Sequence, residues 1–389
     1  MVERLFSLLV YIVSFIISYC FFCAAKVEKG HIKKERFLYL ALAILVLCLI
    51  AGLRADSVGV DVGVYITRDV KYGVSSQSFS QLQRLMSSDS EWLYIILVYF
   101  STRFSTDIGI VLFMLQLLCV APCIKAFVLL KDRINVSLAF LIYLCYFYNT
   151  SLNIMRQSVA CSFILLGAAY LYSNRKHKII KMIISFIVSM LFHKAAILGI
   201  LLLVMLKLLS GFKGRKFFRV ALFIGISILP ALLMQSANYL INSSFLPYRY
   251  KYYLDVFVFH NGFEEYFINS FSIYIIIDLV FRILLVILPV YYAKKKMKNS
   301  NEVVMLENIC LSGLLIYSTF LIAMKTIYGN RISIFLDYFI MLLAPYIMRE
   351  KGLTRRKFVF ELVLIMSWLV LVMYFGSSGS QDYIFRFLN

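Results

Sequence analysis

The sequence predicts an all-α polytopic membrane protein, a single integral membrane domain over 1–389 with about 12 transmembrane helices and one short interfacial or re-entrant helix at 92–104. Three observations predict it. The 389 residues are 62% hydrophobic, with a mean hydropathy of +0.85. Only 15% are charged, against roughly a quarter in soluble domains. Apolar runs long enough to cross about 30 Å of hydrocarbon recur from end to end. No soluble core could hide that much apolar surface, and nothing between the runs is long enough to fold separately.

The first run, 5–25, is too long for a signal-peptide core and has no cleavage site before Lys26, so it reads as a retained helix. Further runs follow at 37–53, 108–130, 136–150, 155–173, 179–192, 195–210, 217–237, 271–293, 303–323, 331–348 and 357–375. Charge sets their register. The connections 26–36, 125–133, 175–181, 207–219, 294–298 and 349–357 hold 26 of the 40 Lys and Arg residues, and the opposite side holds 13. Cationic loops stay on the cytoplasmic side, so both termini are expected outside, and the two long outward connections are 54–107 and 238–270. This register requires that 92–104 not cross. Bounded by Glu91 and Arg103, it is too short for an untilted span. A thirteenth crossing, the alternative, would place the basic 175–181 loop outside.

The net charge of +20 lies in short clusters between apolar runs, which reads as topology and contact with membrane lipids rather than nucleic-acid binding. The eight cysteines all fall within or at the ends of those runs. Cys20 and Cys23 have CxxC spacing but no second ligand pair, so they read as packing or lipid-facing thiols and no metal is expected.

Charged and polar residues near the outer ends of spans ask for a reason, because a charge in hydrocarbon costs about 2.5–3.5 kcal/mol on insertion scales. Arg54 follows the second run and precedes Gly59-Val60-Asp61 and Tyr65. Asp61, set between glycines that permit tight turns, could orient a sugar hydroxyl or act as a base, or could pair with Arg54 and shape the loop. Asn149, Asn153 and Arg156 share one helical face if a helix begins near Asn149, with Gln157 beside them. An arginine there can grip phosphate through two parallel bonds or snorkel to headgroups. His193, one of four histidines, ends the sixth run at a tight outward turn, where imidazole suits proton transfer near neutral pH. Arg331 opens the eleventh run, where a helix N-terminus already attracts anions.

Tyr274, Asp278 and Arg282 recur at i, i+4 and i+8 within the ninth run, and Asp278 with Arg282 reads as an intramembrane ion pair. The segment around Tyr252 alternates tyrosine with basic residues, which makes a stacking platform for sugar rings or an interfacial aromatic belt. No Walker loop, HExxH, GxSxG or DxD motif occurs, and the inward connections are short and basic. Cytosolic nucleotide chemistry is therefore disfavoured. The outward cations, carboxylate and histidine suit a membrane-embedded donor that ends in phosphate.

In these pieces the chain resembles the Wzy-type polysaccharide polymerases, in their EpsG-like branch. The pieces are Gly52-Leu53-Arg54, Gly59 with Asp61 and Tyr65, Glu91 with Tyr94, Arg156-Gln157, Phe192-His193 with Ala196, and Arg331 opening a helix that reaches Pro345. Ala195 stands where a small hydroxyl residue is common in that family, and Phe335 where a tyrosine often follows. The resemblance implies a GT-C-like helical bundle in the cytoplasmic membrane with a catalytic cavity on its outer face. It implies an inverting, metal- and cofactor-independent transfer of a growing glycan from undecaprenyl diphosphate to a lipid-linked repeat unit. Arg54, Arg156 and Arg331 would then bind diphosphate, and Tyr65, Asn153, Gln157 and Tyr252 glycan. His193, Asp61 and Glu91 would be the catalytic set. His193 is favoured as base, since an aspartate beside arginines should be a poor one. A chain-length regulator is a further partner the resemblance allows. The rival functions are a lipid-linked oligosaccharide flippase and an O-antigen ligase-type transferase.

Overall fold

A computed structural model describes residues 2–27, 34–86, 90–210, 273–296, 301–324, 329–349, 354–377 and 379–388, with isolated positions between 217 and 242. The described residues are almost wholly helical and contain no β-strand, only an isolated bridge between Arg54 and Phe385. Among the described residues, seven helices are long and apolar enough to cross a membrane: Arg4–Ala24, Arg36–Leu53, Ile108–Leu129, Ile273–Tyr292, Glu302–Leu321, Asn330–Met348 and Thr354–Tyr374. Of the runs expected to span, 217–237 lies outside the continuously described residues, and 136–150 is divided between α-helix and a π-helical turn at Tyr143–Tyr148. The chain forms two compact units, one of 1–200 with 340–389 and the other of 201–339.

In the first unit, α1 (Val2–Ala24) packs along α2 (Lys34–Leu53), and α2 packs along α6 (Ile108–Leu129). Between α2 and α6 come α3 (Thr67–Ser75), α4 (Phe79–Leu85) and α5 (Trp92–Phe104). The 13 residues of α5 are those read from the sequence as a short helix. The chain then runs through α7 (Val136–Ile142), the π turn, α8 (Asn149–Asn153), α9 (Met155–Tyr172), α10 (Lys178–Phe192) and α11 (Ala196–Ser210). Along α10, Ile180, Ile183, Ile184 and Ile187 are exposed. Such an apolar stripe is unstable in water and at home in acyl chains. The opposite face of α10 docks on α9, where the Phe186 ring fills the space a Gly167 side chain would need, and Ser189 Oγ donates to Ala160 O at 2.9 Å. That docking fixes His193, which ends α10 in an extended conformation.

The ends of α2 and α6 meet through two glycines. A Cβ on Gly109 would overlap Gly52 O and the Arg386 guanidinium, so only glycine lets the backbones approach this closely. Gly109→Ala is expected to cost about 1–3 kcal/mol by overpacking, measured as a lower unfolding temperature in detergent. An unchanged temperature would show that the two helix ends part freely. Residues 379–388 cross this junction. Arg386 pairs with Asp107 at 3.0 Å, Ala55 N donates to Ile384 O at 2.8 Å, and Gly59 N donates to Gly379 O at 2.9 Å. Gly376 and Gly379 supply the positive φ angles, 69° and 63°, that turn the segment back.

Candidate functional site

Asn149, Asn153 and Arg156 would share one face only on a helix running unbroken from Asn149. The helix breaks at Ile154 (φ −88°, ψ 55°), between α8 and α9 and in the gap between the runs 136–150 and 155–173. The three side chains therefore take separate partners. Asn149 is buried, accepting from Trp368 Nε1 and donating to Ser380 Oγ, both at 3.0 Å. Asn153 Oδ1 accepts from Asp61 N at 2.9 Å. Arg156, the second residue of α9, reaches the start of α5.

There the structure gathers three residues of the expected catalytic and phosphate-binding sets. Glu91 precedes the first turn of α5 but does not cap it with its side chain. Its carboxylate turns away, with Oε2 3.0 Å from Arg156 Nη1 and Oε1 3.4 Å from His193 Nδ1, while Lys194 N donates to Oε1 at 3.2 Å. The tight turn after α10 thus delivers both an imidazole and a backbone N–H to one carboxylate. The Glu91 side chain is 8% exposed, Arg156 18% and His193 26%, so the carboxylate is enclosed while the other two keep an accessible edge. The Arg156 guanidinium lies over the Tyr94 ring, 4.8 Å from its centroid.

Burial opposes the charge on Glu91, but His193, the Arg156 guanidinium and the Lys194 amide outweigh it and hold its carboxyl down at about 2. A folded pKa below the unfolded one adds stability that is whole above about 4.5 and lost as the pH falls towards 2. The size is on the order of 3 kcal/mol. Wild type should therefore lose unfolding temperature between pH 4.5 and 2 more steeply than Glu91→Gln, which lacks the titrating group. Parallel melting curves for the two would remove this account of the carboxylate.

Arg54 is more deeply placed than a residue at a membrane rim was expected to be. It is 0% exposed, Nη2 lies 3.2 Å from Met155 Sδ, and Nε and Nη1 have no hydrogen-bond partner among the described residues. It makes no ion pair among those residues, so the expected alternative of an Asp61–Arg54 pair is not taken. Burial pulls the guanidinium down to about 10, with Tyr11, Tyr148 and Tyr383 acting in the other direction, and it keeps its charge at neutral pH. Its neighbour Met155 precedes Arg156, so both arginines are drawn to the break at Ile154.

Of the expected glycan contacts, Tyr65 is half-buried with Arg68 5.9 Å above its ring, Gln157 is buried, and Tyr252 lies outside the described residues. Arg331, Asp278 and Arg282 belong to the second unit. Arg331 is exposed on the helix Gly329–Asp337. Arg282 Nε is 3.0 Å from Asp278 Oδ2, Nη1 is 2.9 Å from Asp337 Oδ2, and Nη2 donates to Asn330 Oδ1 at 3.0 Å. Tyr317 lies beneath it and donates to the same Asp278 oxygen at 2.5 Å. Arg282 is thus held by three carboxylate or amide oxygens rather than by one ion pair. The sequence did carry a signal for Asp337, an acid inside an apolar run.

The sequence model of the EpsG family matches residues 37–388. No curated protein and no solved structure matches the chain.

Proposed function

The chain belongs to the EpsG family, and from that premise we propose that it polymerises undecaprenyl-diphosphate-linked repeat units on the outer face of the cytoplasmic membrane. Family membership and the seven apolar helices support a membrane protein of polysaccharide biosynthesis. The finer reading includes a bundle of about 12 spans resembling GT-C enzymes, with both termini outside, and it comes from the charge pattern and the sequence resemblance.

One observation carries the chemistry: a single enclosed carboxylate, Glu91, touches both a partly accessible arginine and a partly accessible histidine. Glu91 Oε1, 3.4 Å from His193 Nδ1, favours the tautomer with its proton on Nδ1, and Nε2 of that tautomer takes the proton of an acceptor sugar hydroxyl. The freed oxygen attacks the anomeric carbon of the donor from the face opposite the leaving group, so that the bond to diphosphate breaks with inversion. Negative charge grows on the departing diphosphate, and the outer edge of Arg156 meets it. The resemblance gives Arg331 and Arg54 the same task, Asp61 a share in catalysis and Tyr65 a glycan contact.

The test is the purified full chain in lipid nanodiscs, given a synthetic undecaprenyl-diphosphate repeat unit and read as a ladder on a gel. A ladder supports polymerisation. Transfer to a different acceptor without a ladder would make it a ligase, and movement of the lipid across liposomes with no new bond would make it a flippase.

A further inference from the structure

Behind the Glu91–Arg156 pair lies a second carboxylate that the mechanism does not use. Asp69, on α3, is 2% exposed, and its Oδ2 accepts from the hydroxyl of Tyr94, itself 0% exposed, at 3.0 Å. Arg68 closes the other oxygen from outside at 3.2 Å. The ring of Tyr94 is the one on which Arg156 rests. The order Arg68, Asp69, Tyr94, Arg156, Glu91, His193 is therefore an unbroken chain of contacts, with charge alternating on both sides of the tyrosine.

Docking α3 on α5 does not need this carboxylate. The same two helices are already joined where Gly73 sits against Thr102 and Val98, and where Arg103 donates to Gly73 O. Burying a carboxylate is costly, and a neutral amide could accept the same tyrosine hydrogen bond. Burial pushes the Asp69 carboxyl up, while the Tyr94 hydroxyl, Arg68 and Arg156 act in the other direction, and what the ionised form adds over an amide is electrostatic. It strengthens the hydrogen bond from the Tyr94 hydroxyl, makes the ring a richer face for a cation, and attracts Arg156 through that ring. Glu91 fixes one nitrogen of the guanidinium, and Tyr94 fixes its plane. Together they leave the remaining edge at a set angle.

We propose that Asp69, acting through Tyr94, is a positioning residue that orients Arg156 for the diphosphate of the lipid-linked substrate. The proposal rests on the reading of Arg156 given above, and the experiment separates the two.

The full chain in nanodiscs is titrated with a fluorescent undecaprenyl diphosphate, and Kd is measured for Asp69→Asn, Arg156→Lys and the double variant. Lysine keeps a cation for the phosphate but cannot lie flat on the ring. Asp69→Asn should raise Kd about fivefold in the parent and less than twofold in the Arg156→Lys background, the non-additivity expected of groups acting through one another. Tyr94→Phe, which keeps the ring and cuts the tie to Asp69, should reproduce the effect if Asp69→Asn does not fold. An equal rise in both backgrounds, or no rise in the parent, overturns the proposal while leaving Arg156 as a ligand. Unchanged binding by Arg156→Lys and Arg156→Ala overturns both.

Discussion

His193→Ala should lower the polymerisation rate by about 10²–10⁴, the range that general-base catalysis supplies, without abolishing donor binding. Glu91→Gln should fall into a similar range, and the double variant should be little worse than either. Residues that act as one unit lose nearly everything at the first deletion, and Glu91 contacts His193 through Nδ1, the nitrogen that fixes the tautomer. A glutamine at 91 can offer Nδ1 an N–H instead of an acceptor, which would reverse the imidazole and put its proton on Nε2, the nitrogen assigned the role of base. The measurement is the initial rate of ladder growth at saturating donor. Fully additive losses would show two independent functions rather than a dyad. A wild-type rate for His193→Ala beside a dead Asp61→Ala would move the base to Asp61, whose loop is tied to the same helix break through Asn153.

The dyad was legible in the sequence as separate letters and not as a pair. Glu91 and His193 are 102 positions apart, each at the end of a helix whose apolar pattern gives its length, and the helix Trp92–Phe104 begins and ends where the pattern places it. What local pattern could not give is the contact between them, which depends on α5 and α9 both meeting α10. The break at Ile154 falls in the gap between the runs 136–150 and 155–173, but the separate partners it gives Asn149, Asn153 and Arg156 were hidden for a similar reason. The stretch Asn149–Asn153 contains Asn, Thr and Ser, which hydrogen-bond outside the helix ladder, but it holds neither Pro nor Gly. Its deciding partners, Asp61, Trp368 and Ser380, come from far along the chain. Asp69 escaped because Arg68-Asp69 in a polar helix looks like a solvated ion pair. Only the fold shows that one member of the pair is buried under Tyr94.

Arg54→Met should raise the unfolding temperature and at the same time remove polymerisation. The guanidinium is wholly buried with two nitrogens unpartnered among the described residues, and each buried polar group left unsatisfied costs about 1–3 kcal/mol, more when charged. The tyrosines around it compensate only in part. Tyr11, Tyr148 and Tyr383 give their protons to Ser380, Leu47 and Ile50 carbonyls at 2.8, 2.8 and 2.9 Å. Their oxygens can therefore turn lone pairs inward, yet none bonds the arginine among the described residues. Methionine has similar length and lies well against Met155, so the substitution removes the charge without opening a large cavity. A gain of about 1–3 kcal/mol follows if one orphaned donor pair dominates. Proteins keep such a costly group where activity needs it, and Arg54 lies against Met155, the residue before Arg156. A lower unfolding temperature for Arg54→Met would mean that the tyrosine cage already neutralises the charge. A more stable variant that still builds the full ladder would mean that the charge serves nothing in catalysis, and the diphosphate would then be left to Arg156 and whatever Tyr94 and Asp69 do to hold it.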